Sequence, residues 1–399
     1  MKDPIADYLS RYAEPEAANA AIKHTYAHCL VVPAYDEAEN FLQQLLGEID
    51  DTTDLLVIVI VNAPKDEAQK NYDFAPTQRT RKLLAALQVQ SLATALPFGM
   101  MVIDRVSTGR EIPFKQGVGL ARKVASDVAL ALHQQGRVIS PWIYQTDADA
   151  RLPHDYFTTP LPQRGCAIFP HRHVSEDPEV SAAARLYDLH MRYFVAALKR
   201  HGSNYAHPSL GSTLSIHAQD YASVRGYPKR SAGEDFHILN KLSKVTPLTQ
   251  LTTPYIDVQA RTSARVPFGT GPALTKIIQV LDQDPGGSSY LSYNYASFKL
   301  LAQSLAEIIS FEESVVALRK QLGRELTRPE LIEAIKAGAR LRLRPKVMTV
   351  ATTVASLLPI FWSTRTGVEV MQPPAAPVVD RMLSALVPIL VVTPVIFAW

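Results

Sequence analysis

Short apolar runs alternate with helix-period segments across the first part of the chain. The runs at 28–33, 55–61, 100–106 and 142–146 predict strands. Between them, 37–49, 77–91 and 117–135 carry apolar residues at three- and four-residue spacing, which predicts helices. The resulting β-α-β-α-β-α-β series is the pattern of an α/β domain built on a mostly parallel sheet. Ligands of such sheets sit outside the carboxyl ends of the strands, so the residues that follow each run are the ones to read for chemistry.

Further on, 179–200 reads as one long helix and 211–216 as a strand. A short helix is expected over 236–242, opened by Glu234 and Asp235, and helical pattern returns at 295–309 and 312–322. The pattern then changes. Lys336, Arg340, Arg342, Arg344 and Lys346 precede 18 uncharged residues at 347–364, and a second uncharged stretch of 18 fills 382–399. Both are near the lower length limit for crossing a bilayer core, and a basic cluster before an apolar span predicts that the preceding domain stays on the cytoplasmic face of the inner membrane. If the tail does not insert, the chain is a soluble cytoplasmic protein. The expected organisation is an N-terminal extension (1–25), an α/β body (26–318), a basic helical linker (319–346) and a two-segment membrane tail (347–399).

Composition supports two segments of different character. Of 399 residues, 47% are apolar and 20% charged, too balanced for a disordered chain, and the net charge of +3 excludes a strongly basic nucleic-acid binder. Residues 1–318 carry 30 Lys and Arg against 33 Asp and Glu, whereas 319–399 carry 11 against 5. The positive excess therefore belongs to the tail. Cys29 and Cys166 are the only cysteines, so no disulfide framework is expected, and the acid-bearing start, 1–19, lacks the apolar core of a secretory signal.

Four segments can carry chemistry. Thr146-Asp147-Ala148-Asp149 ends the fourth strand; two carboxylates one residue apart can hold a hard divalent cation such as Mn²⁺ or Mg²⁺, although an Asp-x-Asp by itself is equally a solvated turn. Val32-Pro33-Ala34-Tyr35-Asp36-Glu37 ends the first strand and opens a helix, where free backbone N–H groups and the Tyr35 ring can meet a nucleotide, or where Asp36 and Glu37 simply complement the helix dipole. Lys115-Gln116-Gly117-Val118-Gly119-Leu120-Ala121-Arg122 places two glycines between cations, suited to close approach by a diphosphate. It lacks the G-K-[ST] ending of a P-loop, and Lys123 stands where a dinucleotide fingerprint needs its third glycine. Gly233-Glu234-Asp235-Phe236-His237 supplies an acidic pair that either caps a helix or offers a general base.

In this order, the four segments resemble the family 2 glycosyltransferases of the GT-A fold. The resemblance runs over about 26–320, with its motifs in 26–242. It implies a nucleotide-diphospho-sugar transferase of Rossmann-like fold that moves a sugar to an unknown acceptor hydroxyl. Pro33, Tyr35, Glu37, Asn62, Lys115 and Arg122 would contact the nucleotide-sugar donor, Asp147 and Asp149 would hold the cation, and Asp235, with Glu234, would serve as catalytic base. The family's "G-G-F-P" and "E-D" strings are matched here by Arg225-Gly226-Tyr227-Pro228 and Glu234-Asp235. Departures are Asp36 where Asn is frequent, and Val61-Asn62-Ala63-Pro64 where "D-D-G-S" is common. No His follows His237, so a late His ligand is missing. The Q-x-x-R-W string of processive synthases is also missing, which favours transfer of a single sugar.

The tail resembles a different family. Gly338-Ala339-Arg340-Leu341-Arg342-Leu343-Arg344-Pro345-Lys346-Val347-Met348-Thr349, continued through Pro359 and Pro394, is similar to the C-terminal end of heavy-metal efflux pumps of the resistance-nodulation-division superfamily. Arg365, Pro374, Asp380 and Arg381 interrupt the match. The uncharged spans hold none of the ionisable residues that proton coupling needs. The chain is therefore expected to be a membrane-tethered glycosyltransferase. The alternative is a non-catalytic membrane protein, a fragment of a heavy-metal efflux transporter.

Overall fold

The computed structural model of the chain describes residues 3–65, 73–92, 96–262, 269–304 and 306. The chain divides into two units, Met1–Ala302 and Gln303–Trp399. The expected linker and both uncharged spans lie outside the described residues. Among the described residues, no helix is long and apolar enough to cross a membrane.

The first unit is a mixed α/β structure. Its elements begin with α1 (Pro4–Arg11), α2 (Pro15–Ala18), β1 (His28–Ala34), α3 (Phe41–Leu46), β2 (Leu55–Asn62), α4 (Ala75–Leu92), β3 (Gly99–Arg105), α5 (Gly117–Gln134) and β4 (Trp142–Gln145). There follow β5 (Ala150–Arg151), β6 (Cys166–Ile168), β7 (His171–Val174), α6 (Pro178–Arg200), a 3-10 turn (Gly211–Thr213), β8 (Leu214–His217), α7 (Ala218–Ser223) and α8 (Glu234–Leu242). The last are β9 (Leu248–Gln250), β10 (Ile256–Gln259) and α9 (Thr270–Gln283).

A seven-stranded sheet has the order β3-β2-β1-β4-β8-β6-β9, and only β8 runs antiparallel to its neighbours. Because side chains alternate across a strand, both faces of β1 and β2 must be covered if every position is apolar. That is what happens. Cys29, Val31, Leu56, Ile58 and Ile60 pack in the cluster that includes α5, α1 and α7, while Leu30, Val32, Val57, Val59 and Val61 pack with α3 and α4. A smaller sheet, β5-β10-β7, lies beyond the end of β4.

The strand order reverses between β1 and β4. Such a switch point leaves a crevice at the carboxyl ends, where the two chains leave the sheet in opposite directions. Glu37 follows β1 there and Asp147 and Asp149 follow β4, so topology alone brings these segments together.

The first residues are part of the body's core. Tyr8 of α1 is buried and donates to Asp127 Oδ1 of α5 (2.6 Å), which also accepts from the Tyr221 hydroxyl (2.8 Å). Asp127 Oδ2 accepts from the Glu14 N–H (2.8 Å) and Lys123 Nζ (2.9 Å). A fully buried carboxylate is tolerated because each oxygen is hydrogen-bonded and a cation lies beside it.

Candidate functional site

The acidic segments named from sequence converge on two arginines. Arg122 projects from α5 and is only 2% exposed; its Nη2 donates to Asp147 Oδ1 (2.5 Å) and its Nε to Glu234 Oε1 (3.1 Å). Arg261, which follows β10, meets Asp149 Oδ2 (3.0 Å) and Glu37 Oε1 (3.5 Å). The site thus contains Glu37, Asp147, Asp149, Glu234 and Asp235, drawn from the ends of β1 and β4 and from the start of α8.

This density of negative charge shows in the protonation equilibria. Burial, reinforced by the neighbouring Asp147, pushes the Asp149 carboxyl up to about 6. Glu234 is raised by burial and by Asp235, against the pull of Arg122. Asp235 is raised by burial and by Asp147, against the Phe236 N–H and Arg122. For Arg122, burial works against the charge, and Asp147 and Glu234 more than restore it, so the guanidinium stays protonated. Arg122 Nη1, the Gln145 amide, Thr146 Oγ1 and Ser212 Oγ are buried and have no hydrogen-bond partner among the described residues. Polar atoms of this kind normally meet ordered water or a ligand.

The glycine segment behaves differently from expectation. Gly117 adopts a left-handed φ of 36°, and a Cβ there would stand 2.6 Å from Ser231 Cα. A Cβ on Gly119 would stand 2.5 Å from the Pro228 carbonyl oxygen and 2.6 Å from that of Arg230, which accepts the Gly119 N–H at 3.0 Å. The space expected for a diphosphate is filled by the protein's own 228–231 backbone. The glycines instead let the segment leading to Glu234 and Asp235 lie on the first turn of α5, and Arg122, one turn on, reaches those acids from below. Lys115 is exposed on the turn before α5.

Pro33 is buried inside β1, opposite Ile60. Tyr35 is half-buried just beyond it. Asp36 takes a left-handed φ of 60°, a conformation that Asp and Asn tolerate best, and its carboxylate is gripped by Arg79 Nε (2.6 Å) and Nη2 (2.9 Å). Asn62 closes β2 and donates its amide to the Ala34 (3.2 Å) and Ile60 (3.3 Å) carbonyls, so its N–H groups serve the sheet and only its oxygen remains for a base. His237 lies in the first turn of α8, half-buried, with its ring 5.4 Å from that of Phe236.

A second group of metal-type ligands was not anticipated. His171, His173 and Asp188 each place a ligand atom within 4.8 Å of the others, a set that can hold a metal ion. The signal available in sequence was His-Arg-His on a strand, which puts both imidazoles on one face; nothing local pointed to Asp188 on α6.

Comparison with known protein families matches the end of the chain. Residues 315–399 match the AcrB/AcrD/AcrF family. This segment is similar to the cation efflux system protein CusA of Escherichia coli K12 (54% identity over 56 residues, 14% of this chain and 5% of that protein). It is also similar to the putative cation efflux system protein SilA of Salmonella typhimurium (52% over 63 residues, 16% and 6%). The chain spans about one-twentieth of these relatives. Among solved structures, a mycobacterial protein overlaps 70% of this chain and 78% of its own at 15% identity, with a TM-score of 0.29. Mouse xyloside xylosyltransferase 1, in its apo form, overlaps 57% and 85% at 12% identity, with a TM-score of 0.27. Likeness at that level supports no assignment.

Proposed function

We propose that the body of the chain, residues 26–318, is a GT-A-fold glycosyltransferase that moves a single sugar from a nucleotide-diphosphate sugar to an acceptor hydroxyl. The observation that carries this reading is the meeting of Asp147 and Asp149 with Glu234 and Asp235 at the switch point between β1 and β4, where α/β sheets bind their ligands.

The donor set fits a hard divalent cation. Asp147 and Asp149 offer carboxylate oxygens only, the two repel one another, and each keeps one oxygen outside its ion pair with Arg122 or Arg261. Mn²⁺ or Mg²⁺ held there would supply neutralisation of the negative charge that grows on the departing diphosphate. Arg261, with its side chain 46% exposed, is free to exchange carboxylates for phosphate oxygens when the donor arrives. Asp235, raised by burial, is suited to take the acceptor hydroxyl proton as the new glycosidic bond forms and the sugar–phosphate bond breaks. Arg122 holds Asp147 through Nη2 and Glu234 through Nε, which fixes the positions of both carboxylates.

The tail extends the proposal. A segment similar to the end of a membrane pump, preceded by a basic cluster, would hold the body at the cytoplasmic face of a membrane. Efflux by this chain has no comparable support, since the similarity reaches about one-twentieth of the pump.

A thermal-shift panel of nucleotide sugars with and without Mn²⁺ tests the reading. One donor class should raise the melting temperature only when Mn²⁺ is present, by several degrees at a hundredfold excess over its dissociation constant. No shift with any donor would oppose it.

A further inference from the structure

We propose that His171, His173 and Asp188 form a second divalent-metal site, of the two-imidazole, one-carboxylate type that suits Zn²⁺ and related late first-row ions. It is separate from the aspartate pair and does not depend on the glycosyltransferase reading.

The geometry is built from two elements. Residues 171 and 173 alternate on β7 and so face the same side, and that side packs on α6, which supplies Asp188. The carboxylate is fixed at both oxygens: Oδ1 lies 2.6 Å from His173 Nδ1, and Oδ2 accepts the His173 backbone N–H at 3.0 Å. The His171 and His173 rings stand nearly perpendicular, 5.5 Å apart. Donors bound to one tetrahedral ion at roughly 2.1 Å lie about 3.4 Å from each other. The three ligand atoms already lie within 4.8 Å of one another, close to the scale of that spacing.

Two further features belong to a metal site and are not required by a simple His–Asp hydrogen bond. First, the far nitrogen of His173, Nε2, lies 3.2 Å from Thr270 Oγ1 at the start of α9. A ligating imidazole characteristically has its other nitrogen engaged in this way, which fixes the ring and its tautomer. Second, a cavity of about 310 Å³ borders both His171 and Asp188, leaving room for an entering ion and a non-protein fourth ligand. Arg192 and Lys199 border the same cavity, so that ligand would be an anion such as a carboxylate or phosphate. Arg192 donates to the His171 carbonyl oxygen (3.3 Å).

The donor chemistry separates the two sites. Imidazole nitrogens favour Zn²⁺ and Co²⁺ over Mg²⁺, whereas an all-carboxylate pair favours Mg²⁺ and Mn²⁺.

Co²⁺ titration of the chelator-treated full chain, read by visible absorption, tests the proposal. Nitrogen-ligated, four-coordinate Co²⁺ absorbs strongly, and oxygen-ligated six-coordinate Co²⁺ weakly. The wild type should develop the strong bands at one equivalent, and excess Mg²⁺ should not remove them. Asp149→Asn should keep the bands. His171→Ala, at a half-exposed strand position, should lose them while its metal-free melting temperature stays within a few degrees of wild type. Thr270→Ala should retain them with affinity lowered about 10–100-fold. Absence of strong bands in the wild type, or equal Co²⁺ affinity in folded His171→Ala, would overturn the site. If His171→Ala is unfolded, His171→Gln replaces it with the same two readings.

Discussion

Asp149→Asn is expected to reduce sugar transfer by at least about a thousandfold and, in the absence of metal, to make the protein more stable. The loss follows from removing one of two carboxylates offered to the cation, whose charge stabilisation at a leaving phosphate is worth several kcal/mol. The gain follows from linkage. Asp149 is raised to about 6, above its ordinary value near 4, so ionising it costs the folded state more than the unfolded one. That cost is absent below about pH 4, accumulates as pH rises to about 6 and is constant above. The variant should therefore melt with wild type near pH 4 and above it at pH 7 and higher. The difference is on the order of 3 kcal/mol, or roughly 6 °C for a body of this size. Denaturation curves at a series of pH values check the sign. A variant that is inactive and also destabilised at pH 7 would point to a structural role for Asp149.

Arg122→Met should have the largest effect on stability. It keeps most of the side-chain volume but strips Asp147 and the buried Glu234 of their shared cation, with Asp235 close by. Leaving buried carboxylates unpaired costs about 3–5 kcal/mol, which lowers the melting temperature by roughly 10 °C. The deficit should shrink as pH falls, because Glu234 and Asp235 already bind protons more readily than ordinary acids and their neutral forms need no partner. Arg122→Lys should recover only part of the loss, since one ammonium cannot reproduce the two-pronged contact. Calorimetric melting at pH 5 and pH 8 measures both statements. A deficit that does not change with pH would mean that Arg122 acts through packing alone.

The sheet was legible because the interiors of β1 and β2 are apolar without interruption. Runs 28–33 and 55–61 appear as β1 and β2 within a residue at each end. The helix expected over 37–49 is shorter in the structure, Phe41–Leu46. The left-handed turn at Asp36, locked by Arg79, delays α3 to Phe41. Strand 211–216 begins as a 3-10 turn, and its Gly211 lies against the Arg122 guanidinium, where a Cβ would be 2.6 Å from Nη2.

At the site, the four acids after β4 and at the start of α8 were readable as a group because they occupy strand and helix ends. Their counter-charges were not. Arg122, Lys123 and Asp127 sit in a helix whose polar residues would ordinarily face water, but α5 is covered by the sheet on one side and by α1 and α2 on the other, so these groups pair internally. Arg261 reaches Asp149 and Glu37 from more than a hundred residues away. His171, His173 and Asp188 depend likewise on how α6 packs on β7.

The most direct measurement is release of nucleoside diphosphate from nucleotide sugars by the full chain, with Mn²⁺ and then with excess chelator, for wild type and Asp149→Asn. Turnover that needs Mn²⁺ and disappears in a folded Asp149→Asn protein is the predicted result. Turnover that survives both the chelator and the substitution, or no release from any donor by the folded, Mn²⁺-loaded wild type, would contradict the account.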